Sequence, residues 1–125
     1  MNIIENHGII GHRRDLVDGM TSYMIDDATN SDTDAAYTQA HIDRCSAILN
    51  AFLAGLDAEE VSGNPEMIMA LVKNAVIALN DLNDECGGKL IETDQREQLC
   101  DIIIGAANEA GLITDEDVTE EWREW

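Results

Sequence analysis

Apolar residues recur along most of this chain at intervals of three and four, the spacing that gives a helix one buried stripe. In the first such stretch, residues 11–27, Leu16, Val17, Met20, Tyr23 and Met24 share a face. The polar run ATNSDTD at 28–34 breaks the pattern and reads as a loop, with Thr33 or Asp34 placed to cap the next helix. That second helix is predicted over 34–56, with Cys45, Ile48, Leu49, Phe52 and Leu56 inward and Asp43, Arg44, Asn50 and Ala54 outward. The stretch DAEEVSGN at 57–64 closes it.

Asn64 followed by Pro65 reads as a cap and a first helical residue, because proline there gives up an amide that has no helical partner anyway. The third helix is predicted over 65–85. Ile68, Leu71, Val72, Ala75, Val76, Leu79 and Leu82 line one face, and Met67, Met69 and Ile77 widen it, so this helix is expected to be central. Cys86-Gly87-Gly88 stops it, since glycine takes the left-handed conformation that ends helices. Thr93 or Asp94 opens the fourth, with Asp94 and Glu97 at capping-box spacing. Leu99, Cys100, Ile102, Ile103, Ile104, Ala106, Ala107 and Ala110 make it apolar nearly all round, and Gly111 ends it. Thr114 is expected to cap a short last helix reaching Trp125, with Trp122 and Trp125 on one face.

The pattern therefore predicts an all-α protein: an antiparallel bundle of four main helices plus a short C-terminal helix. No alternating stretch is long enough to force a strand; GKLIET at 88–93 offers a short extended piece and no more. A single domain over residues 1–125 is expected, with residues 1–10 loosely packed.

Composition alters the picture in three ways. Hydrophobic residues make up 45% of the chain but aromatics only 4%, so the core is built from Ile, Leu, Val, Ala and Met. Residues 1–14 lack the continuous apolar run of a secretory signal, and nothing approaches the ~18 apolar residues of a membrane span. Cys45, Cys86 and Cys100 form no tight pairing motif, which points to a reducing cytoplasmic location.

Charge matters more. Twenty-six acidic residues face seven basic ones, for a formal net charge of -19 and a pI near 4.1. Such a surface repels nucleic acid and anionic lipid and attracts basic protein faces. With Lys73 and Lys89 as its two lysines, the chain also fits a halophilic-type surface, on which acidity serves solvation alone.

Catalytic chemistry finds little support. Ser22, Ser31, Ser46 and Ser62 sit in no elbow or triad setting, and Cys45 and Cys100 fall on apolar faces where thiols are inert. His41 lies four residues before Cys45 without an orienting acid, and His7 and His12 lie near the N-terminus without partner ligands. Gly8–Gly11 and Gly87-Gly88-Lys89 are too short for a phosphate cradle. The run NDECGGKLIETD at 83–94 resembles the calcium loop of the EF-hand family, which implies Asn83, Glu85 and Asp94 as ligands and Gly88 as the turn glycine. It departs from that family at Gly87, which offers no side chain, and at Asp94, which replaces a bidentate glutamate. No catalytic residue, cofactor or metal is assigned from these readings.

Two polar groupings stand out instead. Asn80 and Asn83 continue the apolar stripe of the third helix, and Asp84, Glu92, Asp94 and Arg96 return near them across the glycine turn, with Arg96 placed to clamp Glu92 or Asp84. This patch either fixes the turn or recognises a ligand. The second is C-terminal: Asp115, Glu116, Asp117, Glu120 and Glu121 surround Trp122 and Trp125, the composition of aromatic anchors in an acidic ring. The expectation is a non-enzymatic protein that blocks a basic protein partner, as an immunity protein, an inhibitor or a nucleic-acid mimic, without contacting nucleic acid or membrane itself. The alternatives are a small helical protein with a halophilic-type surface and a weak calcium-binding helix–loop–helix at 83–94. Monomer and homodimer are both open.

Overall fold

In a computed structural model, which describes residues 3–30, 37–112, 114 and 116–125, four helices carry the chain up and down around one contiguous apolar core. They are α1 (His7–Asn30), α2 (Gln39–Leu56), α3 (Pro65–Glu85) and α4 (Thr93–Glu109). A short 3-10 turn, Ile3–Glu5, precedes α1.

Each helix packs against the next antiparallel, and α4 returns to α1. Paired contacts fix the directions. Tyr37, ahead of α2, donates its hydroxyl to the Met20 carbonyl at 2.8 Å, while Arg13 near the start of α1 reaches Asn50 near the end of α2. Arg44 in the first half of α2 pairs with Glu85 at the end of α3. Tyr23 late in α1 lies 3.4 Å from the Asp94 carboxylate at the start of α4. The interior is filled by Leu16 and Met20, Leu49 and Leu53, Val72 and Leu79, and Leu99 and Ile103, all essentially fully buried.

The predicted α3 is present with the same bounds, and Asn64 accepts the Met67 amide at 3.3 Å as its cap. Helices α3 and α4 end alike. Gly87 and Gly88 take φ of 66° and 77°, and their amides return to the Asp84 and Asn83 carbonyls at 3.0 and 2.8 Å. Gly111 takes φ of 112°, and the Gly111 and Leu112 amides return to the Asn108 and Ala107 carbonyls, both at 3.0 Å. Both are Schellman endings, which satisfy the last helical carbonyls through a left-handed residue.

Several expectations need correction, among them the end of α1, which runs on to Asn30 through the first residues of the expected 28–34 loop. Helix α1 starts at His7, not Gly11, because the Asn6 side chain accepts the Gly8 and Ile9 amides at 3.0 and 3.2 Å and so caps an earlier first turn. Residues 1–10 do not all pack loosely: Ile3 and Ile9 are buried, and the Ile3 amide donates to Asp57 at 2.5 Å. The cap of α4 is Glu92, whose amide donates to Gln95 at 3.3 Å, so the box lies two residues before the expected Asp94–Glu97 pair. Finally, the described residues from 114 to 125 form turns and irregular backbone, not a C-terminal helix. Asp117 accepts both the Thr119 amide (2.9 Å) and the Thr119 hydroxyl (2.5 Å), a local alternative that competes with helical bonding. Helix α2 begins at Gln39, not at 34, and its cap is Thr38, whose amide donates to His41 at 3.0 Å, in place of the expected Thr33 or Asp34, which lie outside the described residues.

The end of the bundle formed by the α2–α3 loop and the end of α4 is closed backbone to backbone. The Gly63 amide donates to the Ala110 carbonyl at 2.8 Å, and a Cβ on Gly111 would lie 3.0 Å from Gly63 Cα. Gly111→Ala is therefore expected to cost about 2 kcal/mol, combining left-handed strain with a backbone clash. Gly105→Ala, inside α4 with open space around the new methyl, is expected to add about 0.5–1 kcal/mol. Urea midpoints of the two variants check both signs.

Candidate functional site

The C-terminal segment is bound to the bundle through one buried side chain. Asn80 sits on the inward face of α3 and is 5% exposed. Its amide nitrogen donates to the Trp122 carbonyl at 2.7 Å, and its amide oxygen accepts the Glu124 amide at 3.1 Å. A carboxamide offers the same donor and acceptor as a peptide group, so Asn80 pairs with the segment much as a strand neighbour would. Trp122 and Trp125 pack half-buried against the core.

Arg123 completes the attachment. Its guanidinium lies 2.8 Å from the Cys100 sulfur, 3.3 Å from the Asp117 carboxylate and 5.5 Å from the Trp125 ring centre. Asp117 is thus engaged within the segment. Glu116, Glu120 and Glu121 are instead exposed, and Asp115 lies outside the described residues. Among the described residues, the ion pairs are Arg44–Glu85 and Arg123–Asp117, so these three glutamates carry uncompensated charge.

They border a cavity of about 680 Å³ between α3 and the segment. Buried Val118 and half-buried Met69 and Leu112 form its apolar floor. The sequence singles out the glutamates but gives no sign of this floor. Met69 reads there only as a widening of the α3 stripe, and Leu112 comes after a helix-ending glycine, where periodicity carries no signal.

The turn patch is not assembled as one site. Asn80 serves the C-terminal segment, whereas Asn83 is buried and accepts the Ile91 amide at 2.9 Å, fixing the turn. Asp84 and Arg96 are exposed, and Arg96 forms no ion pair with Glu92, Asp84 or any other described residue. The side chains matched to calcium ligands turn to separate partners, Asn83 to Ile91, Glu85 to Arg44 and Asp94 to Tyr23. Among the described residues no group of three or more His, Cys, Asp or Glu converges as a metal site.

The thiols and histidines reflect their surroundings. Burial pushes the Cys45 thiol up to about 12 from an ordinary value of 9.0. His41 does not activate it, because its Nδ1 accepts the Thr38 amide at 3.0 Å at the head of α2. Burial also raises Cys86, with the Glu85 charge acting in the same direction. His7 and His12 are exposed on α1.

No protein-family model matches this sequence, and no curated protein or solved structure matches it. No helix among the described residues is long and apolar enough to cross a membrane.

Asn80→Ala is expected to destabilise by about 2 kcal/mol, since two backbone groups lose their partner. Both tryptophans of the chain lie in the released segment, so emission should shift to the red and quenching by neutral acrylamide should rise. Alkaline stability tests Cys45. The folded state holds this proton more tightly than the unfolded chain, so the stabilisation is complete below pH 9.0 and is lost as pH rises towards about 12. Cys45→Ala is expected to flatten that decline in urea titrations across the same window.

Proposed function

We propose that this chain is a non-enzymatic binding protein that uses its acidic face to occupy and block a basic protein partner, in the manner of an immunity protein, an inhibitor or a nucleic-acid mimic. The observation that carries the reading is the exposed, uncompensated set Glu116, Glu120 and Glu121 on a segment tied down by Asn80 and Arg123. Carboxylates held in fixed positions meet a basic surface without first being ordered, which saves the entropy that a loose acidic tail loses on binding. The excess negative charge of the chain steers such a partner and speeds capture. In the mimic version the carboxylates stand where phosphates would.

A second reading is favoured by the scarcity of lysine: Lys73 and Lys89 are the chain's two. On that reading the acidity is a halophilic-type solvation device with no partner. Salt separates the two. A blocking protein loses affinity for its partner as salt rises, whereas a halophilic surface gains folding stability and binds nothing.

The test is capture from host lysate at low salt and elution by a salt gradient. A stoichiometric basic protein eluting at intermediate salt is expected; a broad smear of basic proteins overturns the blocking reading. Glu120→Lys combined with Glu121→Lys is expected to slow association with the captured protein by roughly tenfold or more. The melting temperature should be nearly unchanged, because both side chains are exposed. Stopped-flow association and thermal melts measure the two effects.

A further inference from the structure

We infer that the cavity between α3 and the C-terminal segment seats an apolar side chain of the partner that is flanked on its own chain by lysine or arginine. This rests on the acidic-face reading above and names the partner element that the site takes. The space is about 680 Å³, within the range of roughly 300–1,000 Å³ that binding clefts occupy. Its floor and its edge make different demands. Met69, Leu112 and Val118 offer hydrocarbon to whatever enters, and an apolar side chain gains by leaving water there. Glu116, Glu120 and Glu121 line the mouth with negative charge that no described cation neutralises.

Charge alone would accept any polycation anywhere on this protein. The apolar floor adds selection, because only a segment alternating apolar and basic groups satisfies both surfaces at once. An acidic or purely apolar segment would place carboxylates or unpaired hydrocarbon against the glutamate rim. The fourth acid of the cavity, Asp117, does not belong to the recognition set, since Thr119 and Arg123 already engage its carboxylate. That engagement also holds Val118 inward, so floor and rim are positioned by the same turn.

The experiment uses two synthetic probes on the full chain: an amphipathic helical peptide of leucine and lysine, and a peptide of lysine and glycine with equal charge. Isothermal titration is run at moderate salt, with amide chemical shifts recorded in parallel. The leucine-containing probe is expected to bind at least tenfold more tightly and to shift the Met69, Leu112 and Val118 amides. Met69→Gln is expected to weaken that probe by about tenfold, leaving the lysine–glycine probe within about twofold. Glu120→Lys with Glu121→Lys is expected to weaken both.

Equal affinity of the two probes, or shifts spread over the whole surface, overturns the cavity while leaving the acidic-face reading in place. If the double charge reversal weakens neither probe, both readings fail together. Shifts of the three floor amides that depend on protein concentration without any probe assign the cavity to a second copy of this chain and overturn the proposal. Should Met69→Gln unfold the protein, the amide shifts of the natural chain decide.

Discussion

The buried carboxamide of Asn80 couples the helical bundle to the last residues of the chain, at Trp122 and Glu124. An amide on the inward face of a helix costs free energy unless both its ends are bonded, and here the backbone at Trp122 and Glu124 bonds both. The dependence runs in both directions. Without the segment, α3 carries an unsatisfied polar group in its apolar face; without Asn80, the carbonyl of Trp122 and the amide of Glu124 lose their protein partners. Trp122 and Trp125 then cover the core as a consequence of that pairing, in a chain otherwise poor in aromatic residues. The turn at Asp117–Thr119, the cation over the Trp125 ring and the Arg123 contact with Cys100 tighten the same attachment.

Electrostatics works against this compactness. A formal charge of -19 on 125 residues gives the folded chain a self-repulsion that the described ion pairs barely relieve. Exposed pairs such as Arg44–Glu85 contribute little in water, on the order of 0–1 kcal/mol. Cohesion therefore rests on hydrocarbon packing, on satisfied buried amides and on helix ends closed by glycine. The three glutamates around the cavity stay exposed because an unpaired carboxylate is far better solvated in water than among apolar side chains.

Much of the fold is legible in the sequence where a stop signal coincides with the end of a periodic stripe. Asn64-Pro65 and Cys86-Gly87-Gly88 bracket α3, and the helix has those bounds. Gly111 marks the end of α4 for the same reason. The N-terminus departs from expectation because the apolar stripe is read from Leu16 onward, while the Asn6 cap and the burial of Ile9 carry the helix back to His7. The C-terminal helix fails to form although the tryptophan spacing of three suggests it, because that spacing fits a turn followed by irregular backbone equally well. Local bonds from Asp117 and a partner far away in sequence at Asn80 decide the matter, and neither has a periodic signature.

The same asymmetry explains the site. Glu116, Glu120 and Glu121 announce themselves by composition, and Asn80 by being polar on an apolar stripe. Their relationship is set by tertiary pairing, since Asn80 fixes the backbone that carries the glutamates. Met69 joins them only because antiparallel packing brings the start of α3 beside the chain leaving α4, where Gly63 and Ala110 bond across the end of the bundle. The glycines that end the helices thus also place the floor. A left-handed Gly111 turns the chain back along α3, so Leu112 and Val118 line the same cavity as Met69, with Glu116, Glu120 and Glu121 at its edge. The placement of the cavity is in that sense a property of how one helix ends, with the charge at its edge supplied by glutamates that no described cation engages.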